Sequence, residues 1–429
     1  MTNPTEYRQR REQLMAKIGS GTAIFRSAPA AVMHNDVEYA YRQDSDFFYL
    51  TGFNEAEAVA VLAPHHEEHK FVLFVQPKDL EKETWHGYRA GVEGAKELYG
   101  ADEAFPIAEL AEKLPKYLEK ADRIYYHFGR DRTFDQTVLN HWQRLMATYH
   151  KRGTGPTAVE DSNIILHPMR LVKSETELAL MRKAANISVA AHNRAQEFAK
   201  PGRYEYEIQA EIEHTFGLNG CTPAYPSIVA SGYNSCVLHY IENNRQMQEN
   251  DLLLIDAGCA CDYYNADITR TFPVSGKFTT EQQIIYDLVL QAQLQAISQV
   301  YPGNPYSKIH ETAVRVLVEG LMDLKLLVGD IEEIIKEEKY KPFYMHRTGH
   351  WLGLDVHDVG VYQYGENPQV LQPGQVLTVE PGIYISPYIK PVEGQPEVPE
   401  KWRGIGVRIE DDVLVTVEGQ EVLTAGVPK

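Results

Sequence analysis

The chain has 429 residues, 42 of them basic and 60 acidic, for a formal net charge of −18. That acidic excess, with no basic block or aromatic-basic stripe, argues against nucleic acid as a partner. At 43% hydrophobic and 24% charged residues the chain is globular in composition and not disordered, and its length allows two or three domains at roughly 150 residues each.

The first part mixes short apolar runs with helical patterns. Tyr7 to Ile18 reads as a polar helix with a stripe at Leu14, Met15 and Ile18. Strands are expected at Thr22–Phe25, Phe47–Leu50, Ala58–Leu62, Phe71–Val75 and Ile124–His127, and a helix at Asp135–Ala147. This alternation predicts an α/β layer domain. His150 to Pro156 is turn-rich and Asp161 to Arg170 reads as a connector, with a domain boundary near 160–173. The start charges its residues where a signal peptide needs apolar ones, and no apolar run is long enough to span a membrane. A cytoplasmic protein without a membrane partner is expected.

Ser174-Glu-Thr-Glu177 fits a capping box that opens a helix to about Ala199, stopped by Pro201-Gly202. A second helix covers Tyr204 to Phe216. Paired strands are then expected at Ser227–Ala230 with Val237–Ile241, and at Leu252–Asp256 with Ile268–Phe272. Helices follow at Thr280–Val300 and Ser307–Leu324, and Tyr362 onward is strand and turn. Cys221, Cys236, Cys259 and Cys261 are too few for a disulfide scaffold, and Cys259-Ala-Cys261 lacks redox C-x-x-C spacing; small buried thiols are the expectation.

The chemistry-bearing residues sit in apolar strand contexts. Asp256 ends Leu252-Leu-Leu-Ile255, and Asp267, eleven residues on, opens Ile268 to Phe272. A hairpin would set the two aspartates opposite each other, with Cβ atoms roughly 5 Å apart. Carboxylates that close need a proton or a cation between them. A solvated turn with two flanking acids is the plainer alternative. His346, His350 and His357 lie within twelve residues, but Gly349 and Gly353 argue against a helical zinc pair and H-E-x-x-H is absent. Glu380 ends Val376 to Val379 before Pro381-Gly382. Arg408 and Glu410 share a strand face, for which a buried Arg–Glu pair is the plain explanation. Together Asp256, Asp267, His350, Glu380 and Glu410 form an oxygen-rich set suited to two hard divalent ions.

The run His346 to Asp358, with Ile255–Gly258, Ala266–Phe272, Val379–Gly382 and Lys401–Asp411 in the same order, resembles the proline-directed metallopeptidases of the pita-bread fold, the Xaa-Pro aminopeptidase (aminopeptidase P) family. Tyr7–Gly19 and Tyr39–Gly52 resemble that family's N-terminal domain. The resemblance implies a two-domain α/β protein. Residues 1–165 would form a mixed-sheet α/β domain serving oligomerisation and substrate access, and residues 166–429 a pita-bread (α+β, pseudo-two-fold) catalytic domain. It implies two divalent ions per subunit, of manganese, with Asp256 on one, Asp267 and Glu410 bridging, and His350 and Glu380 on the other. Such a pair makes a nucleophile of water near neutral pH. Glu380 would pass a proton to the leaving prolyl nitrogen, His357 would stabilise the oxyanion, and His239 would contact substrate across the scissile bond. His346, Tyr384 and Arg408 would wall the proline pocket. Trp85 resembles a residue that a neighbouring subunit projects toward the site in tetrameric relatives, and Arg152 a further contact of that kind; on local sequence Trp85 fits an exposed loop or ordinary packing equally well. The implied substrates are peptides with proline second, and the implied assembly a homo-oligomer, tetramer or dimer. A prolidase restricted to Xaa-Pro dipeptides and a non-catalytic binding module of the same fold are the alternatives. A creatinase-like hydrolase would lose metal ligands, and a methionine aminopeptidase lacks so large an N-terminal domain.

Overall fold

The computed structural model describes residues 4–391 and 393–429. The chain divides after Met169 into two compact units. The first is built on a six-stranded mixed sheet in the order Glu103–Pro106, Phe71–Val75, Val59–Leu62, Thr22–Arg26, Arg123–Tyr125, Ala158–Glu160. The neighbouring strands Val59–Leu62 and Phe71–Val75 are buried along their whole length, as continuous Val/Leu/Phe runs require. The helices Leu110–Leu118 and Arg132–Arg152 supply Leu114, Leu118, Phe134 and Val138 to the core formed with Ile24, Val61 and Phe74.

Phe47–Leu50 is not a strand. Ser45–Thr51 is a buried helix, capped by the Asp44 carboxylate accepting from the Phe47 N–H and closed by Gly52 at φ +66°. Its aromatic run suits a pleated surface equally well, and the caps decide. The expected connector at 161–170 contains the helix Asn163–Leu171, and the helix Arg132–Arg152 runs into the stretch expected to turn at His150. Trp85 lies on a short helix, Leu80–His86, and is 80% exposed.

The second unit repeats one motif: a pair of helices followed by small antiparallel sheets. The helices Glu175–Phe198 and Glu205–Leu218 precede strands within 222–273; Thr280–Ile297 and Ser307–Asp323 precede strands within 363–422. Ser174 and Glu177 form the expected capping box. The strand Leu252–Asp256 is central to its sheet, between Ile228–Ser231 and Thr269–Pro273. Leu253 and Ile255 pack with Ala191, Ile212 and Phe216 from the first helix pair. Leu252 and Leu254 pack with Val289, Leu317, Ile383 and Val407. By the period of two, Asp256 points with Leu252 and Leu254, toward the strands of the second repeat. Val237–Ile241 is irregular; Ile228–Ser231 pairs instead with Leu252–Asp256.

Cys221 and Cys261 are joined by a disulfide, which corrects the expectation of four free thiols. Cys236 and Cys259 remain free. The bond links Cys221, which leads into the strand Thr222–Pro223, to the strand Cys259–Cys261 paired with it. No described helix is long and apolar enough to cross a membrane.

Candidate metal centre

Asp256 lies opposite Thr269, not Asp267. The ladder gives way at Gly258, where a Cβ would meet the Ala266 carbonyl oxygen at 1.8 Å. Cys259–Cys261 and Tyr264–Asn265 then form a small hairpin, turned by Asp262 and Tyr263 at φ +48° and +74°. Asp267 comes back two residues short of Thr269, so the aspartates are diagonal neighbours on one face. The Tyr225 hydroxyl spans them, 2.6 Å from Asp256 Oδ1 and 2.5 Å from Asp267 Oδ1. One hydroxyl supplies one proton, so two contacts this short call for a second proton or a cation among the carboxylates.

The other donors arrive from the second repeat. Glu410 follows the strand Ile405–Arg408, and its N–H donates to the Thr269 carbonyl at 3.0 Å. The Thr269 hydroxyl donates to Glu410 Oε2 at 2.6 Å. His350 lies in an extended loop whose close passage requires glycine: a Cβ on Gly349 would meet the Thr378 carbonyl oxygen at 1.9 Å. The absence of a helix there agrees with the reading of Gly349 and Gly353. His350 Nδ1 is 3.0 Å from the Trp351 carbonyl oxygen and donates to it, leaving Nε2 toward Asp267 Oδ2 at 3.5 Å and Glu380 Oε1 at 3.7 Å. A backbone acceptor that fixes one imidazole nitrogen is the usual support of a metal-ligating histidine. Asp267, His350 and Glu410 each place one ligand atom within 4.8 Å of the others. Asp256 joins through Tyr225 and Glu380 through His350, so the five expected donors are contiguous.

Their electrostatics are those of a cation site. Burial, then the neighbouring carboxylates, raise the pKa of Asp267 and Glu410. Burial and the charges of Asp267 and Asp256 outweigh His350 and Arg408 to push Glu380 up to about 7. Burial alone would lower His350, but the Asp267 hydrogen bond and the Glu380 and Asp267 charges push it up to about 9. Buried acids that cannot all ionise without a counter-ion form a set that a divalent cation satisfies. Hard oxygen donors with one imidazole suit such an ion.

Arg408 does not pair with Glu410. Its Nη2 donates to Asp256 Oδ2 at 2.6 Å, Nη1 to the Tyr384 hydroxyl at 3.0 Å and Nε to Thr269 Oγ1 at 3.1 Å. His346 Nε2 also meets the Tyr384 hydroxyl, at 2.8 Å, and burial with the Arg408 charge pushes its imidazole down to about 3. His357 stacks edge-on to His350 with ring centroids 4.2 Å apart. Partial burial, then His350 and His239, lower its pKa, which puts the exposed His239 within electrostatic reach. Trp85 belongs to the first unit, as does Arg152, whose Nη2 donates to the Leu145 carbonyl at 2.7 Å.

Sequence reasoning missed Tyr225, Thr269 and Asp412. The Asp412 carboxylate accepts the Asp267 N–H at 3.1 Å. Period-two spacing from Glu410 would have put Asp412 on the same face. Nothing in Pro223-Ala-Tyr-Pro226 marks Tyr225.

Residues 179–417 match the Metallopeptidase family M24 and residues 7–125 the Aminopeptidase P N-terminal domain. The chain belongs to metallopeptidase family M24: it is a hydrolase with a two-domain α/β architecture and a pita-bread C-terminal domain. It is 44% identical to the Xaa-Pro aminopeptidase of Escherichia coli (strain K12) over 428 residues, 99% of this chain and 95% of that protein. It is similar to the solved Pseudomonas aeruginosa aminopeptidase PepP, with a TM-score of 0.95 and 48% identity over 100% of this chain and 96% of that one. Zn-substituted E. coli aminopeptidase P in complex with product gives a TM-score of 0.93 at 43% identity, covering 100% and 96%.

Proposed function

We propose that the chain is a Xaa-Pro aminopeptidase that releases the N-terminal residue from peptides with proline second. The observation that carries this reading is the convergence of Asp256, Asp267, His350, Glu380 and Glu410 in one buried cluster, with relatives of that name aligned over nearly the whole chain. These five residues would hold two divalent ions, manganese being our expectation. Such a pair supplies Lewis acidity, polarising the scissile carbonyl and making water a nucleophile near neutral pH.

The chain's own residues do the rest. Glu380, whose carboxylate lies 3.7 Å from His350 Nε2, would take a proton from the attacking water and deliver it to the prolyl nitrogen. That nitrogen belongs to a tertiary amide and must be protonated to leave. His357, held neutral by its surroundings, donates to the oxyanion, and His239 contacts substrate across the scissile bond. His346, Tyr384 and Arg408 form one hydrogen-bonded wall for the proline ring. Residues 1–165 would serve oligomerisation and substrate access, with residues 166–429 catalytic. Trp85 would reach a neighbouring subunit's site in a homo-oligomer, and the cytoplasm is the proposed compartment.

The prolidase alternative needs a free cation for the proline carboxylate. Arg408 is committed to Asp256, Tyr384 and Thr269, and His346 is neutral, which favours the aminopeptidase. An intact donor set argues equally against a binding module. The test offers Xaa-Pro-Yaa tripeptide and Xaa-Pro dipeptide to metal-stripped chain reloaded with manganese. Release of the first residue from the tripeptide is expected; cleavage of the dipeptide alone, or of neither, refutes the reading.

A further inference from the structure

Three of the four cysteines, Cys221, Cys259 and Cys261, are buried together, their sulfurs all within 4.8 Å. Cys221 and Cys261 form the disulfide, and the free Cys259 Sγ lies 3.8 Å from Cys261 Sγ. Cys259 is held by the first helix of the unit, its Sγ 3.4 Å from the Ala184 carbonyl oxygen and its N–H donating to Ser188 Oγ at 3.0 Å. The strands this bond ties are those that position the carboxylates. From Cys221 the chain runs through Thr222–Pro223 to Tyr225, which spans Asp256 and Asp267. The strand Cys259–Cys261 starts the hairpin that carries the chain from Asp256 to Asp267, and the Ala266 N–H donates to the Cys259 carbonyl at 3.0 Å. The Ala224 N–H donates to the Gly258 carbonyl at 2.9 Å. Tyr225 and Asp267 are thus anchored on either side of one covalent bond.

We propose that Cys221–Cys261 is a reversible redox modification site that sets the affinity of the carboxylate cluster for its divalent ion; this rests on the metal-site part of the reading above. Reduction by a dithiol splits the Sγ–Sγ bond: two electrons and two protons pass to the cysteines, giving two thiols, and the dithiol leaves as its cyclic disulfide. Oxidation by a small-molecule disulfide runs the same exchange backward. Once the bond is open, the Cys221–Tyr225 segment keeps its backbone hydrogen bonds and the Tyr225 hydroxyl contacts but has no covalent tie to its neighbour. The tyrosine that fixes the two aspartates then loses its covalent register. Such support around metal ligands is worth about 10–100-fold in affinity. Cys259 does not short-circuit the switch, because burial pushes its thiol up to about 11. A protonated thiol is a poor nucleophile toward the adjacent disulfide, so the oxidised state persists until an external thiol reaches it.

The test uses the full chain, stripped of metal, with Mn2+ alone as the probe. Peptide mapping of chain purified without reductant is expected to find Cys221 linked to Cys261. Mn2+ titration before and after dithiol treatment, with the dithiol removed under argon, is expected to show binding about tenfold weaker in the reduced chain. Cys221→Ser should bind like reduced chain whether or not it is treated, while Cys259→Ser should respond like the parent. If Cys221→Ser does not fold, the comparison within the parent chain decides alone. Four free thiols in the untreated map, or Mn2+ binding equal or tighter after reduction, overturns the proposal. Redox-dependent Mn2+ binding by a chain that cleaves no proline-second peptide supports it while refuting the peptidase reading.

Discussion

Arg408 and Asp256 meet at 2.6 Å inside the second unit, with both residues buried. The guanidinium is therefore a scaffold of the site as much as a wall of its pocket, because it orients a candidate ligand. Removing one partner of a buried pair costs about 3–5 kcal/mol. Arg408→Ala should lower the stability of metal-free chain by that order in a denaturant titration. Arg408→Lys should recover only part of it, since an ammonium cannot reach Asp256, Tyr384 and Thr269 at once. A loss for Arg408→Ala below about 1 kcal/mol, the level of an exposed pair, would mean the contact is not closed in solution.

Three neighbours meet Asp267: the Tyr225 hydroxyl and His350 at its carboxylate, and the Asp412 carboxylate at its N–H. Asp267→Ala should empty the site and stop turnover together, read as bound metal per chain beside cleavage rate. Turnover within about tenfold of the parent, a barrier change near 1.4 kcal/mol, rules out a bridging role.

The site also sets a pH dependence. In metal-free chain Glu380 and His350 hold protons more tightly folded than unfolded, at about 7 and about 9. The stability each confers is full below its ordinary value, near 4.5 and 6.5, and is lost as pH rises through the folded value. His192 and His310, pushed down by burial to about 4, act oppositely: their stability is present above about 6.5 and lost as pH falls toward 4. Metal-free chain should thus weaken toward alkaline pH, and added Mn2+ should displace protons and bind more tightly there. Calorimetric titration in buffers of different ionisation enthalpy reads the released protons directly; no release near neutral pH contradicts the assignment.

Gly258 marks the point where the ladder opens toward Asp267, with no room for a Cβ. Gly258→Ala should destabilise by about 1–3 kcal/mol or more and weaken Mn2+ binding, since the Asp267 backbone must shift. Gly217→Ala, in the helix Glu205–Leu218 with nothing within 4 Å of the added carbon, should be neutral or gain up to about 1 kcal/mol. Similar melting shifts for the two would remove the steric argument.

Much of this site was legible in the order of the residues. The acids at the ends of apolar strands stand out because burying a carboxylate without a partner is costly, and all four converge with His350. The capping box at Ser174 and the helix Ser307–Asp323 were readable for local reasons, a cap and a periodicity. What escaped reading depends on register. Opposition of Asp256 and Asp267 was off by two residues because the break at Gly258 is a tertiary fit. The disulfide was missed because pairing Cys221 with Cys261 requires knowing that Thr222–Pro223 lies beside Cys259–Ala260. Phe47–Leu50 satisfies either periodicity, and only its Asp44 and Gly52 flanks separate helix from strand. Tyr225 has no periodic context, and its importance lies wholly in what the hairpin brings to it.

The donors are spread along the chain from Asp256 to Glu410, and the strand that leads to Glu410 pairs back onto Gly382–Ile385. During synthesis, then, no intermediate length short of Glu410 carries the whole constellation. A growing polypeptide holds only part of the candidate ligand set until nearly all of it has been made. Under the proposed metal assignment, loading would follow synthesis of nearly the whole chain.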